Sequence, residues 1–136
     1  MSKICTILRG VSGCGKTTFA EYISALVANP NETIILSADD YFMVDGEYRF
    51  DGAKLKNAHK WCRESFEESV EESVENIILC NTNTQAWEFE SYKEFAEEAG
   101  YKVFCIIVEN RHGGKNTHGV PDEALKRMKD RFEVQL

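Results

Sequence analysis

The run Gly10-Val11-Ser12-Gly13-Cys14-Gly15-Lys16-Thr17 fits the pattern G-x-x-x-x-G-K-[ST] at every fixed position. Its chemistry is that of phosphate capture. Glycines let successive backbone N–H groups turn inward on phosphate oxygens, and a helix that starts directly afterwards adds the partial positive charge of its N-terminus. Lys16 is then placed to neutralise β- and γ-phosphates, and the Thr17 hydroxyl to ligate Mg²⁺. The expected cradle is Gly10, Ser12, Gly13, Cys14, Gly15, Lys16 and Thr17, with Thr18 adding an α-phosphate contact. The ligands it implies are ATP and Mg²⁺.

A cradle does not say whether a phosphoryl group goes to water or to an acceptor, so the polar residues that follow the other apolar runs decide more. Ser37-Ala38-Asp39-Asp40-Tyr41 closes the second such run. A carboxylate beside a γ-phosphate can take the proton of an incoming hydroxyl, which makes Asp39 the candidate general base. Asp40 is the alternate base or a support for the metal; a turn or capping carboxylate is the plainer reading of either residue alone. The third run ends in Cys80-Asn81-Thr82-Asn83, where a conventional metal-supporting strand would end in aspartate. Mg²⁺ keeps much of its hydration, so Thr17, water and the Asp39/Asp40 pair would suffice, with Asp40 as the metal-binding candidate. Asn81 and Asn83 either contact an acceptor or orient the base, and Asn-Thr-Asn is equally ordinary turn chemistry.

After the fourth run comes Asn110-Arg111-His112-Gly113-Gly114-Lys115-Asn116-Thr117-His118-Gly119, rich in glycine and cations. It reads as a lid, with Arg111 as the catalytic cation and Lys115 as a substrate contact, against the alternative of solvated loop charges. The segment after Asp39 is also locally basic, through Arg49, Lys54, Lys56, His59, Lys60 and Arg63. It favours an anionic acceptor, with Arg49 as a substrate-binding candidate. Tyr41, Phe42, Tyr48 and Trp61 can either stack on a base or pack internally.

These segments need a scaffold that brings them to one place. Ile4–Leu8, Thr33–Ser37, Ile77–Cys80 and Val103–Val108 are short, apolar throughout and read as buried strands. Between them lie helical periodicities: Phe19, Ile23, Leu26 and Val27; then Leu55, His59, Cys62, Phe66 and Val70 in a long helix from near Gly52; then Tyr92, Phe95, Ala96 and Ala99, with Gly100 as a C-terminal cap. Pro121-Asp122-Glu123 opens a last helix with Leu125, Met128 and Phe132 on one face. Apolar strands alternating with helices predict an α/β fold, a parallel sheet with helices on both faces. In such sheets ligands sit beyond the carboxyl ends of the strands, which is where the four polar segments fall.

The 136 residues suit a single domain spanning 1–136, and no linker, repeat or low-complexity tract divides them. Five cysteines without a CxxC pair read as buried thiols rather than a disulfide framework. No run of about 18 apolar residues and no signal-like N-terminus occurs, so a soluble, cytoplasmic protein without membrane attachment is expected. The net charge of −7 is unevenly placed: Glu64–Glu98 holds eleven acidic residues and one basic, while the remainder has a surplus of +3. That excludes an electrostatically driven binder of long duplexes and leaves room for a local basic surface.

Taken together, Gly10–Thr18, Ser37-x-Asp39-Asp40-Tyr41-Phe42, Ala58-His59-Lys60-Trp61, Asn81-Thr82-Asn83 with Ala86-Trp87-Glu88, and His118-Gly119-Val120 resemble the P-loop polynucleotide 5′-kinases, especially the kinase domains of the Nedd-four-binding protein two family. The resemblance covers nearly the whole chain. It implies a small P-loop kinase fold and transfer of the ATP γ-phosphate to a 5′-hydroxyl of DNA or RNA. It also implies Asp39 as base, Lys16 and Thr17 at the phosphates and magnesium, and a cationic lid between Arg111 and His118. The chain departs from it in carrying Phe42 and Met43 where phage-type enzymes place an acceptor-binding arginine, and Cys80 where the relatives have aspartate. The same cradle and base would also serve a kinase for a small hydroxylated molecule, or a nucleotide-dependent switch with no acceptor.

Overall fold

The computed structural model describes residues 3–11, 15–26, 32–81, 86–108 and 122–131. The four apolar runs are strands: β1 (Ile4–Arg9), β2 (Thr33–Leu36), then, after a short hairpin of β3 (Met43–Val44) and β4 (Glu47–Tyr48), β5 (Asn76–Cys80) and β6 (Lys102–Ile107). β1, β2, β5 and β6 form one sheet in the spatial order β2-β5-β1-β6, with every pairing parallel. Leu8 of β1 is in register with Cys80 on one side and Ile106 on the other, and Leu36 is in register with Leu79. All four strands therefore end at one edge, and each hands its next residues to the same rim.

Alternate strand residues point to opposite faces, and each face has its own cover. Cys5, Ile7, Leu36, Ile77 and Leu79 face α2 (Leu55–Glu71) and α3 (Ala86–Glu98), meeting Ala58, Cys62, Phe66 and Val70 from α2 and Phe89, Tyr92 and Ala96 from α3. Leu8, Ile78 and Cys80 face the other way, against Ala20 and Ile23 of α1 (Lys16–Leu26). The expected α/β arrangement, a parallel sheet with helices on both faces, is the one observed. A fourth helix, α4, spans Asp122–Arg131.

The buried stripe of α2 recurs every four residues from Ala58. Leu55 and His59, read from the periodicity as members of that stripe, are exposed. The buried stripe runs through Ala58 and not through its neighbour His59, which is left on the helix flank, while Leu55 is the first residue of the helix and precedes the stripe. At the other end of α3, Gly100 adopts φ 90°, and the Tyr101 N–H reaches the Ala96 carbonyl at 3.0 Å, which is the expected glycine cap.

The β3–β4 hairpin, with strands of two residues each, has no periodicity from which the sequence predicts it. Asp45 and Gly46 have φ of 52° and 81°, the paired positive values of a tight hairpin turn whose twist matches that of the flanking strands. Arg49 extends the pairing by donating its N–H to the Phe42 carbonyl at 2.8 Å.

Phe66 is fully buried and meets Tyr92 edge-on, with ring centroids 4.9 Å apart. Replacing it with alanine should cost about 3–5 kcal/mol of stability, read from urea denaturation, because the void lies between two helices and a sheet that cannot close onto it. Burial, with the neighbouring Cys105 as a lesser cause, pushes the Cys5 thiol from 9.0 up to about 12. The neutral thiol is the folded state's form, so its contribution is complete below pH 9 and is lost as pH rises through about 12. The urea midpoint should fall across that window, and less steeply in Cys5→Ala.

Candidate active site

The glycine loop leaves β1 at Arg9, whose carbonyl accepts the Val108 N–H at 2.7 Å and so ties β1 to the residue that follows β6. Arg9 is completely buried, and its guanidinium lies 4.2 Å from the centre of the Phe89 ring on α3. A buried cation on an aromatic face is a firm support at the strand end. Nothing in the spacing of the sequence pointed to it.

Beyond the loop, Gly15 has φ 99°, a conformation that side-chain-bearing residues rarely adopt, and its carbonyl accepts the Phe19 N–H at 2.9 Å to begin α1. The Lys16 ammonium lies across the loop, donating to the carbonyls of Gly10 at 2.6 Å and Val11 at 3.1 Å. Thr17 and Thr18 are exposed on the first turn, which carries no acidic side chain. A helix start of 11 residues with a lysine, two hydroxyls and no carboxylate suits an anion such as a nucleotide phosphate. Ser12, Gly13 and Cys14 of the expected cradle lie outside the described residues.

At the end of β2 the chain turns through a short 3₁₀ segment, Ala38–Phe42. Ser37 caps it by accepting the Asp39 N–H on its hydroxyl at 3.2 Å, a local bond that serine supplies readily at a helix start. Two contacts from elsewhere in the chain then hold the turn. The Asn81 side-chain oxygen accepts the Ala38 N–H at 2.9 Å, and its amide nitrogen donates to the Cys62 sulfur at 3.6 Å. One buried amide thus joins the ends of β2 and β5 to α2. From the other side, the Tyr48 hydroxyl donates to Asp39 Oδ1 at 3.3 Å. Burial, and then the Asp39 carboxylate, raise the Tyr48 phenol to about 12, so it remains a donor at any working pH.

Asp39 is half-buried and Asp40 beside it is exposed. Asn81 is only 7% exposed, so of the two roles open to it, its contacts are those of a group that orients the Asp39 turn. Arg49 sits on the hairpin, exposed and paired with Glu47 at 3.1 Å. Cys80 packs among Leu8, Ala20 and Ile78 on the α1 face of the sheet. Asn83, Arg111 and Lys115 lie outside the described residues. Among the described residues no group of three or more His, Cys, Asp or Glu side chains is placed to hold a metal, and no helix is long and apolar enough to cross a membrane.

Tyr48 was legible in the sequence only as an aromatic residue that could stack or pack. Its role against Asp39 depends on the hairpin, and the signal for the hairpin was Asp45-Gly46 between Met43-Val44 and Glu47-Tyr48.

With this geometry in view, a model of a family described as an AAA domain, AAA_33, matches residues 6–135. The chain belongs to that family. NEDD4-binding protein 2 of Homo sapiens is 34% identical over an alignment of 137 residues that covers 96% of this chain and 8% of that protein. The chain therefore spans a small part of that relative. Among solved structures, the Pnkp1/Rnl/Hen1 complex matches 99% of this chain and 41% of its own, with a TM-score of 0.63 and 20% identity. Chaetomium thermophilum Kti12 in complex with ADP-AlF3 matches 95% of this chain and 80% of its own, with a TM-score of 0.66 and 15% identity. These structural likenesses establish the small P-loop kinase-like α/β fold.

The Ala38 N–H has its acceptor in Asn81. Asn81→Ala should therefore lower stability by about 1–3 kcal/mol, the cost of a buried donor left without a partner, as measured by urea denaturation.

Proposed function

We propose that this chain transfers the γ-phosphate of ATP to a 5′-hydroxyl at the end of a DNA or RNA chain. The observation that carries the proposal is Asp39, its carboxylate held by Tyr48 and its backbone turn held by Ser37 and Asn81, at the same sheet edge from which the Lys16 loop projects. A switch that only senses nucleotide has no need of a carboxylate oriented by a tyrosine on a braced turn. The 34% identity to NEDD4-binding protein 2 supports the reading, as does the fold shared with Pnkp1 in an assembly that is an RNA repair complex.

In this mechanism the loop and the start of α1 bind the phosphates, and Lys16 balances charge on the transferring group. Asp39 accepts the proton of the attacking hydroxyl, while Tyr48 holds one carboxylate oxygen and so fixes the direction of the other. Thr17 and Asp40 would hold Mg²⁺, with water completing a coordination sphere that is oxygen-rich by preference. The metal would supply charge neutralisation at the phosphate oxygens. Arg111 is proposed as the cation that meets the charge developing on the transferring phosphoryl group, and Lys115 as an acceptor contact.

The test is transfer of labelled γ-phosphate from ATP with Mg²⁺ to a 5′-hydroxyl oligonucleotide. Asp39→Asn should lower the rate by about 10²–10⁴-fold, the usual worth of a positioned base, while ATP binding is retained. Lys16→Ala should lose both transfer and ATP affinity. ATP binding by the parent without transfer to any oligonucleotide would sink the assignment.

A further inference from the structure

The hairpin does more than hold Asp39. Tyr41, Phe42, Arg49, Phe50, Asp51 and Lys54 line an open cleft of about 740 Å³, within the usual size of ligand sites. Its aromatic wall is pre-built. Phe42 is buried and stands 5.1 Å from Phe50, ring centre to ring centre, and Tyr48 lies nearly parallel to Phe50 at 6.5 Å with 18° between the planes. Phe50, backed in this way, is still 55% exposed. A phenyl ring braced by two neighbouring rings and more than half exposed is a rigid platform that loses little entropy when a flat ligand lands on it.

The charges around the platform narrow what that ligand is. Arg49 and Lys54 are exposed at the cleft, with Asp51 as its acidic lining residue. The Asp51 carboxylate accepts the Ala53 N–H at 3.0 Å, where it caps the 3₁₀ turn Gly52–Lys54. Aromatic faces with flanking cations are the pairing used on single-stranded nucleic acid, where bases stack and the backbone follows positive charge. The cleft also adjoins the base of the proposed reaction, since Tyr41 follows Asp39 by two residues and Tyr48 donates to Asp39 directly. A nucleobase could come from ATP or from the acceptor. The cleft's place beside Asp39, on the segment after β2 rather than on the glycine loop after β1, favours the acceptor.

We infer that Phe50 is the stacking platform for the terminal base of the acceptor strand, with Arg49 and Lys54 holding the phosphate that follows it. This rests on the phosphoryl-transfer reading above and names the residues that select its substrate. Recognition by stacking is tolerant of sequence, because every base offers a π-face.

The experiment uses the full chain and a 5′-hydroxyl single-stranded oligonucleotide of roughly ten nucleotides with 2-aminopurine at its 5′ end, whose fluorescence falls on stacking. The parent should quench it on binding. Phe50→Ala should weaken binding by about 5- to 150-fold, the worth of one base–aromatic stack, while Phe50→Tyr should bind as the parent does. An abasic 5′ nucleotide should weaken binding to the parent by the same factor, which tests the site without any substitution. Binding of a fluorescent ATP analogue should be unchanged in Phe50→Ala. Equal affinity for intact and abasic strands, or a Phe50→Ala loss confined to the ATP analogue, would overturn the inference. Phosphate transfer that is indifferent to Phe50 and to the terminal base would remove this site and leave the kinase reading standing. Phe50-dependent quenching without any transfer would do the reverse.

Discussion

Parallel pairing of β1 with both β5 and β6 is the constraint on which the rest of this molecule depends. A parallel sheet sends every strand in the same direction, so each connection must cross back over a face before the next strand begins. The return segments are the helices, and the segments left at the carboxyl rim are free to carry chemistry. Here that rim receives Gly10 and its loop from β1, the Ala38–Phe42 turn from β2, Asn81 from β5 and Val108 from β6. Reversing any one strand would take one of these away from the others. The apolar registers Leu8–Cys80, Leu8–Ile106 and Leu36–Leu79 hold the alignment by excluding water from both faces.

Strand alignment alone sets backbone positions, and the turn that carries Asp39 has finer control than that. The Asn81 amide supplies it by engaging two different elements from one buried side chain. An amide in such a place is well chosen, since it carries a donor and an acceptor in fixed relation and no charge whose burial must be offset. Burial raises the Cys62 thiol that receives its N–H, so the sulfur stays neutral and the contact is not converted into an ion–dipole one at ordinary pH.

How much of this was legible in the sequence follows from the range of each interaction. The four strands, the start of α1 and the Gly100 cap depend on residues within a few positions of one another, so periodicity and local chemistry were enough to place them. Asp39 was legible as a carboxylate after a strand, with its Ser37 cap two residues away. Its bond to Tyr48 was not, because it needs the chain to reverse at Asp45-Gly46, and two-residue strands leave almost no period to detect. The Arg9–Phe89 and Asn81–Cys62 contacts span 80 and 19 positions, and no local pattern encodes them. The α2 stripe was misread at Leu55 and His59 for a related reason. Helical spacing says which side chains share a face, but not which of two adjacent positions, here Ala58 and His59, the buried stripe runs through.

The uneven charge of the chain fits this architecture. The acidic stretch Glu64–Glu98 runs along α2 and through α3, where its carboxylates lie mainly in solvent while the opposite faces of the same helices pack on the sheet. The basic residues Arg49, Lys54, Lys56, His59 and Lys60 precede it, at the hairpin and on the first turns of α2. Because α2 begins at the carboxyl rim and runs away from it, its sequence polarity becomes a spatial one: cations near the site and carboxylates farther off. An anion approaching the molecule would meet repulsion along the acidic helical flank and attraction at the basic first turns of α2, over distances comparable with the Debye length of about 8–10 Å. The net charge is therefore a poor guide to what the protein can bind, and the direction of one helix explains why.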